Sequence, residues 1–268
     1  MKIEKHLPSS LYVGLALLSF TGCFSIVTGF FFTSPARGAT AHFEERAEDY
    51  LMFVDSAQGM IEEIEADSVF SRHSHLLEPL SESLGFATFA VSAASVAVHV
   101  INIYLILSKP LGSVLLGVLF IVLFIIRYAK RDRRLRNTAM ALGTAAWVFM
   151  IAAPSSAIMS GQLSRVYTSS LRLAAGNRLA TFGEEGSGLL ADEHLPEDPR
   201  RDLIILVKGL PNYVWFASAS WLLDLVLLPL LLAWAFYRLG IFLANTLFGS
   251  FRLQKIGETL RRVFSERD

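Results

Sequence analysis

Sulfur chemistry is almost missing from this chain: Cys23 is the single cysteine in 268 residues, which excludes an intramolecular disulfide. Net charge is missing too, since 24 basic side chains are balanced by 24 acidic ones. That balance excludes the overall basic signature of a nucleic-acid binder. The usual catalytic signatures are also lacking. There is no Gly-x-Ser-x-Gly element, no Cys–His arrangement and no set of paired zinc ligands. "GEEGSG" (183–188) has no Lys-Ser/Thr after it and so is no phosphate loop. His73 and His75 in "RHSHLLEP" are two residues apart, which keeps them off a common helix face. The expectation is a non-enzymatic protein with no cofactor and no metal site.

Apolar residues are what the chain has in abundance. Hydrophobic residues make up 53%, charged ones only 18%, and mean hydropathy is +0.47. These values lie off the soluble average and point to a membrane. Five apolar runs stand out, at 11–32, 86–107, 111–127, 138–158 and 214–236. At about 1.5 Å rise per residue, even the shortest approaches the thickness of a hydrocarbon core. None alternates with period two, so helices rather than barrel strands are expected.

The first run, after "MKIEKH", is longer than a signal-peptide core. An uncleaved anchor is therefore expected, with "SPARGA" as the competing cleavage site. Cys23 follows "SFTG", as in a lipoprotein processing site. The apolar run continues past it as "FSIVTGFFF", which argues against a lipid anchor.

The fold class read from this pattern is all-α: a multi-span transmembrane helical bundle with an acidic amphipathic interspan helix and a basic C-terminal amphipathic helix. Residues 1–33 hold the N-terminal tail and first span, and 34–85 the acidic interspan region. Residues 86–158 hold spans two to four, with a turn at "SKP" (108–110) and a basic loop at 127–137. A second polar region covers 159–211, beginning helically and becoming glycine-rich, with "LPEDPRRD" (195–202) as a surface loop. The last span occupies 212–238 and a basic tail 239–268.

In the acidic region Phe43, Tyr50, Ala57 and Ile64 recur every seven residues, with Ala47, Val54 and Ile61 alongside. This single apolar stripe suits packing on the other polar region, or on a protein partner through 43–70. In the tail, Arg252, Lys255, Arg261 and Arg262 lie beside apolar residues, as in a helix resting on anionic headgroups. Basic residues gather at 127–136 and 238–267, which places both stretches, and the C-terminus, in the cytoplasm. Five spans put the acidic helix inside; four would put it outside. Three basic residues against three leave that choice undecided, and the all-round apolar "LLGVLFIVLFII" (115–126) favours five.

Asp224 interrupts the leucines of "SWLLDLVLLPL". A carboxylate at a helix centre costs about 2.5 to 3.5 kcal/mol to insert, and such groups have partners inside the bundle. Thr88, Ser92, Ser95, His99 and Asn102 recur at spacings of four and three on one helix face. His99 sits at a depth matching that of Asp224, and Ser220 lies one turn before the carboxylate. Pro229 and Pro154 free the carbonyls of Leu225 and Met150. Two readings follow: interhelical hydrogen-bond glue, or a proton or cation site of a channel or transporter built from Asp224, His99, Asn102, Ser95 and Ser220. Glue is the favoured one, within a structural or partner-binding membrane component. The bilayer is the first partner, nucleic acid is not expected, and an oligomer is compatible with such a bundle.

"LLEPLSESLGFATF", "AMALGTAAWVFMIAAPSSAIMS" and "ASWLLDLVLLPLLLAWAFYRLG" resemble a group of uncharacterised bacterial multi-pass inner-membrane proteins. The resemblance implies a bacterial inner-membrane location and carries no assigned activity.

Overall fold

The computed structural model describes residues 9–128, 133–191, 198–244 and 246. Among them the chain is helical apart from short turns, with no strand. The elements are α1 (Ser9–Phe20), α2 (Cys23–Thr28), α3 (Ser34–Ala66), α4 (Glu78–Tyr128), α5 (Arg133–Trp147), α6 (Ala153–Tyr167), α7 (Ser169–Ala191), α8 (Pro199–Val207), α9 (Leu210–Leu222) and α10 (228–244). Gly22 and Gly209 break the helical path with φ of 82° and 74°, values that a residue without Cβ adopts freely.

Three junctions are single π-helical turns: Gly29–Thr33, Val148–Ala152 and Leu223–Leu227. A proline follows each at the same distance, Pro35, Pro154 and Pro229. Proline cannot donate to the carbonyl four residues back. Those carbonyls belong to Phe31, Met150 and Leu225, the middle residue of each π turn. The wider turn lets the helix pass the missing bond without ending.

Pro110 behaves differently from expectation. The turn predicted at 108–110 does not form, and the runs at 86–107 and 111–127 are parts of one helix, α4, of 51 residues. Helix-forming apolar sequence continues on both sides, and the proline is carried inside the helix. Three helical stretches are long and apolar enough to cross a membrane: Glu78–Tyr128, Arg134–Tyr167 and Pro199–Ala244. The bent N-terminal pair of Ser9–Phe20 and Cys23–Ala66 makes up to four.

Packing divides the chain into two units. The first comprises Met1–Arg37, Ile103–Ile158 and Leu230–Asp268, and the second Gly38–Asn102 and Met159–Pro229. In the first, Ser113 donates to the carbonyl of Ser19 at 2.6 Å, tying α4 to α1. Tyr104 stacks on Phe149 at 5.2 Å between ring centres. Trp147 Nε1 donates to the carbonyl of Phe236 at 3.1 Å, holding α10 to α5. Large apolar side chains such as Ile26, Phe30, Leu230 and Trp234 are exposed.

The second unit contains the larger core. Every member of the α3 stripe is buried, from Phe43 through Tyr50, Val54 and Ala57 to Ile64. The stripe packs with Leu80, Leu84, Val91 and Val98 of α4, Leu179 and Phe182 of α7, and Val214 and Trp221 of α9. Glycines make the seam between α3 and α6–α7. A Cβ on Gly161 would lie 2.9 Å from that of Ala39, and one on Gly186 would lie 2.8 Å from Met60. Close helix approach of this kind needs small residues. It also explains why α7 runs on through "GEEGSG", where the sequence signalled an interruption. Part of the predicted loop at 195–202 is helical as well: Asp198 caps α8, accepting from the backbone N–H of Arg201 at 3.2 Å, with Pro199 in the first turn.

This core corrects the five-span expectation. Five spans place the acidic helix and residues 159–211 on opposite sides of the membrane, yet the two share one core. With the second and third runs joined in α4, the apolar helices number one fewer than expected. Charge follows the same division: the second unit holds nineteen of the 24 acidic residues and eight of the 24 basic ones.

Candidate functional site

The polar centre of the second unit forms around Asp224, in the π turn that follows α9. The residue is 2% exposed. Leaving a carboxylate there without a partner would be prohibitive, and α7 supplies the partner. Arg172 Nη2 lies 3.0 Å from Asp224 Oδ2, and the arginine is itself 7% exposed.

Hydroxyls surround the pair. Thr168 donates to the Asp224 carboxylate and accepts from Arg172 Nη2 at 3.0 Å. Ser164 also accepts from Arg172 Nη2, and Ser160 donates to the backbone carbonyl of Asp224. The guanidinium lies over the Trp221 ring, 4.5 Å from its centre, and 5.7 Å from that of Phe43. Stacking of this kind keeps an arginine stable in apolar surroundings. Burial pulls the Arg172 pKa down, and the facing carboxylate of Asp224 pulls it back up.

The partner proposed from sequence is elsewhere. The His99 side chain is 70% exposed and its Nδ1 lies 2.9 Å from the carbonyl of Ser95, in its own helix. Its nearest charge is Glu44 of α3, at 3.9 Å. Asn102 also turns to α3, accepting from the Thr40 hydroxyl at 2.7 Å and donating to Glu44 at 3.3 Å. The polar face read from α4 is therefore met by α3 at these two residues, and not by the helix that carries Asp224. Ser220 is buried, but its hydroxyl donates to Ala217 in its own helix at 2.6 Å. Of the five proposed residues, only Asp224 belongs to the centre the structure builds.

Arg172, Thr168 and Ser164 were missed, although the sequence carries a signal for them. Ser160, Ser164, Thr168 and Arg172 recur every four residues, which sets them along one face across the α6–α7 junction. Among the described residues, no group of three or more His, Cys, Asp or Glu side chains could hold a metal. Arg252, Lys255, Arg261 and Arg262 lie outside the described residues. Comparison with protein-family models, with curated proteins and with solved structures finds no match to this chain.

Proposed function

We propose that the chain is a non-enzymatic component of a bacterial inner membrane that crosses four times and presents an acidic helical unit to a partner with a basic surface. Four crossings return both ends of the chain to one side. Applied to the basic stretches at 127–136 and 238–267, the positive-inside rule makes that side cytoplasmic. The unit with nineteen acidic and eight basic residues then lies outside.

One observation carries the partner reading: the apolar stripe of α3 is consumed by the chain's own core, while Glu45, Glu48, Asp49, Asp55, Glu62, Glu63 and Glu65 are exposed. Such a face recruits by electrostatic complementarity. The buried Arg172–Asp224 pair supports a locking role for Asp224, because a conducting carboxylate has to meet its ion.

Two measurements test this. Extracted in mild detergent at low salt, the chain is expected in a stoichiometric complex that dissociates at high salt and is lost when Glu62, Glu63 and Glu65 are changed to Lys. A complex insensitive to both would count against a basic partner. In liposomes, the purified chain is expected to pass protons and K⁺ no faster than empty vesicles do. A flux abolished by Asp224→Asn would replace this reading with the transport one.

A further inference from the structure

The second unit is poor in cations, yet three of its eight basic residues, Arg46, Arg165 and Arg172, line one small cleft together with His42 and Ser164. The cleft encloses about 10 Å³, room for a single oxygen-sized group at its base.

Arg172 is the buried cation of that lining. Its Nη2 is spent on Asp224, Thr168 and Ser164. Its Nε and Nη1 are buried and have no hydrogen-bond partner among the described residues. Buried guanidinium donors left in that state are costly, and an anion seated in the cleft against Arg172 would offset that cost. Arg46 and Arg165 are exposed at the mouth, and neither has an ion-pair partner among the described residues. Of the acidic groups nearby, Asp224 is taken by Arg172, and Glu45 is exposed and approaches His42 only at 3.9 Å.

We propose that this cleft binds a phosphoryl group, with one oxygen on the inner edge of Arg172 and the remaining charge held by Arg46 and Arg165. Guanidinium forks match phosphate oxygens in pairs, and several of them converging on one small space select a compact, multiply acceptor-bearing anion. A free phosphate and a phospholipid headgroup present the same chemistry. The inference goes beyond the partner reading above and does not rest on it.

The test uses the full chain and an Arg46→Gln/Arg165→Gln variant, which leaves Arg172, Asp224 and the core untouched. In lipid-depleted detergent, 10 mM sodium phosphate is compared with sodium chloride at equal ionic strength. In nanodiscs, phosphatidylglycerol is compared with digalactosyldiacylglycerol, a bilayer lipid without phosphate. The reading is the thermal unfolding midpoint. A rise of several degrees with phosphate identifies a free anion as the occupant; a rise only with phosphatidylglycerol identifies a headgroup. In either case the variant is expected to lose the rise. An equal rise in the variant, or none under either condition, overturns the proposal.

Discussion

Arg172 and Asp224 meet at 3.0 Å inside the second unit, each less than a tenth exposed. They are 52 positions apart in the chain, and the contact joins α7 to the turn beyond α9. A buried pair of this kind contributes little net stability over a well-packed apolar pair, but loss of one partner strands the other. Asp224→Leu or Arg172→Met alone is expected to cost about 3 to 5 kcal/mol. Arg172→Met combined with Asp224→Leu should restore most of that. Unfolding of the two single variants and the double variant in detergent gives the coupling directly. Additive losses would show that the two side chains do not depend on each other.

The continuity of α4 can be measured as a length. Spin labels on cysteines placed at Ile103 and Ile121, in a Cys23→Ser background, flank Pro110. One helix separates their backbones by about 27 Å at 1.5 Å per residue. A hairpin at 108–110 would bring the two arms to packing distance, roughly 10 Å between axes. A short distance by double electron–electron resonance would restore the turn.

Two glycines of helical conformation should respond in opposite directions. Gly161→Ala puts a methyl 2.9 Å from the Cβ of Ala39, which is fixed to the α3 backbone. Overpacking of this order costs about 1 to 3 kcal/mol. Gly59 has nothing within 4 Å of an added Cβ. There the gain in helix propensity should stabilise by about 0.5 to 1 kcal/mol. Denaturant midpoints of both variants decide the matter, and equal effects would mean that the seam between α3 and α6 is looser than described.

Sidedness has its own readout. A cysteine replacing exposed Glu62 in a Cys23→Ser background is expected to react with an impermeant maleimide applied to intact cells. Reaction only after the membrane is opened would return the acidic helix to the cytoplasm.

Much of the second unit was legible because amphipathic periodicity is a local property. The residues that α3 repeats at seven-residue intervals are the ones its core buries. Two features were not legible, for physical reasons. Pro110 resembles a turn signal only where a turn's freed backbone groups can reach water. Between two long apolar runs no such polar flank exists, and the helix persists. At equal depth on another apolar run, the sequence offers His99 as company for Asp224. The residue that answers it lies in a stretch rated polar and extramembrane, on a four-residue row that crosses a helix junction. Burial of an arginine depends on Trp221 and Phe43 arriving from other helices, and no window of sequence contains all three.

The three proline-linked π turns have a consequence for chain length. Each wide turn accommodates one residue more than the regular spiral needs, and the slack sits directly before the proline. Removing a residue there, together with the ring that demands it, would let the spiral close to regular α-helix and leave the flanking segments on nearly their present faces. The helices thus hold three places where a one-residue deletion is mechanically cheap. At Leu223–Leu227 the deletion has to spare Asp224, because its loss would strand the buried guanidinium of Arg172.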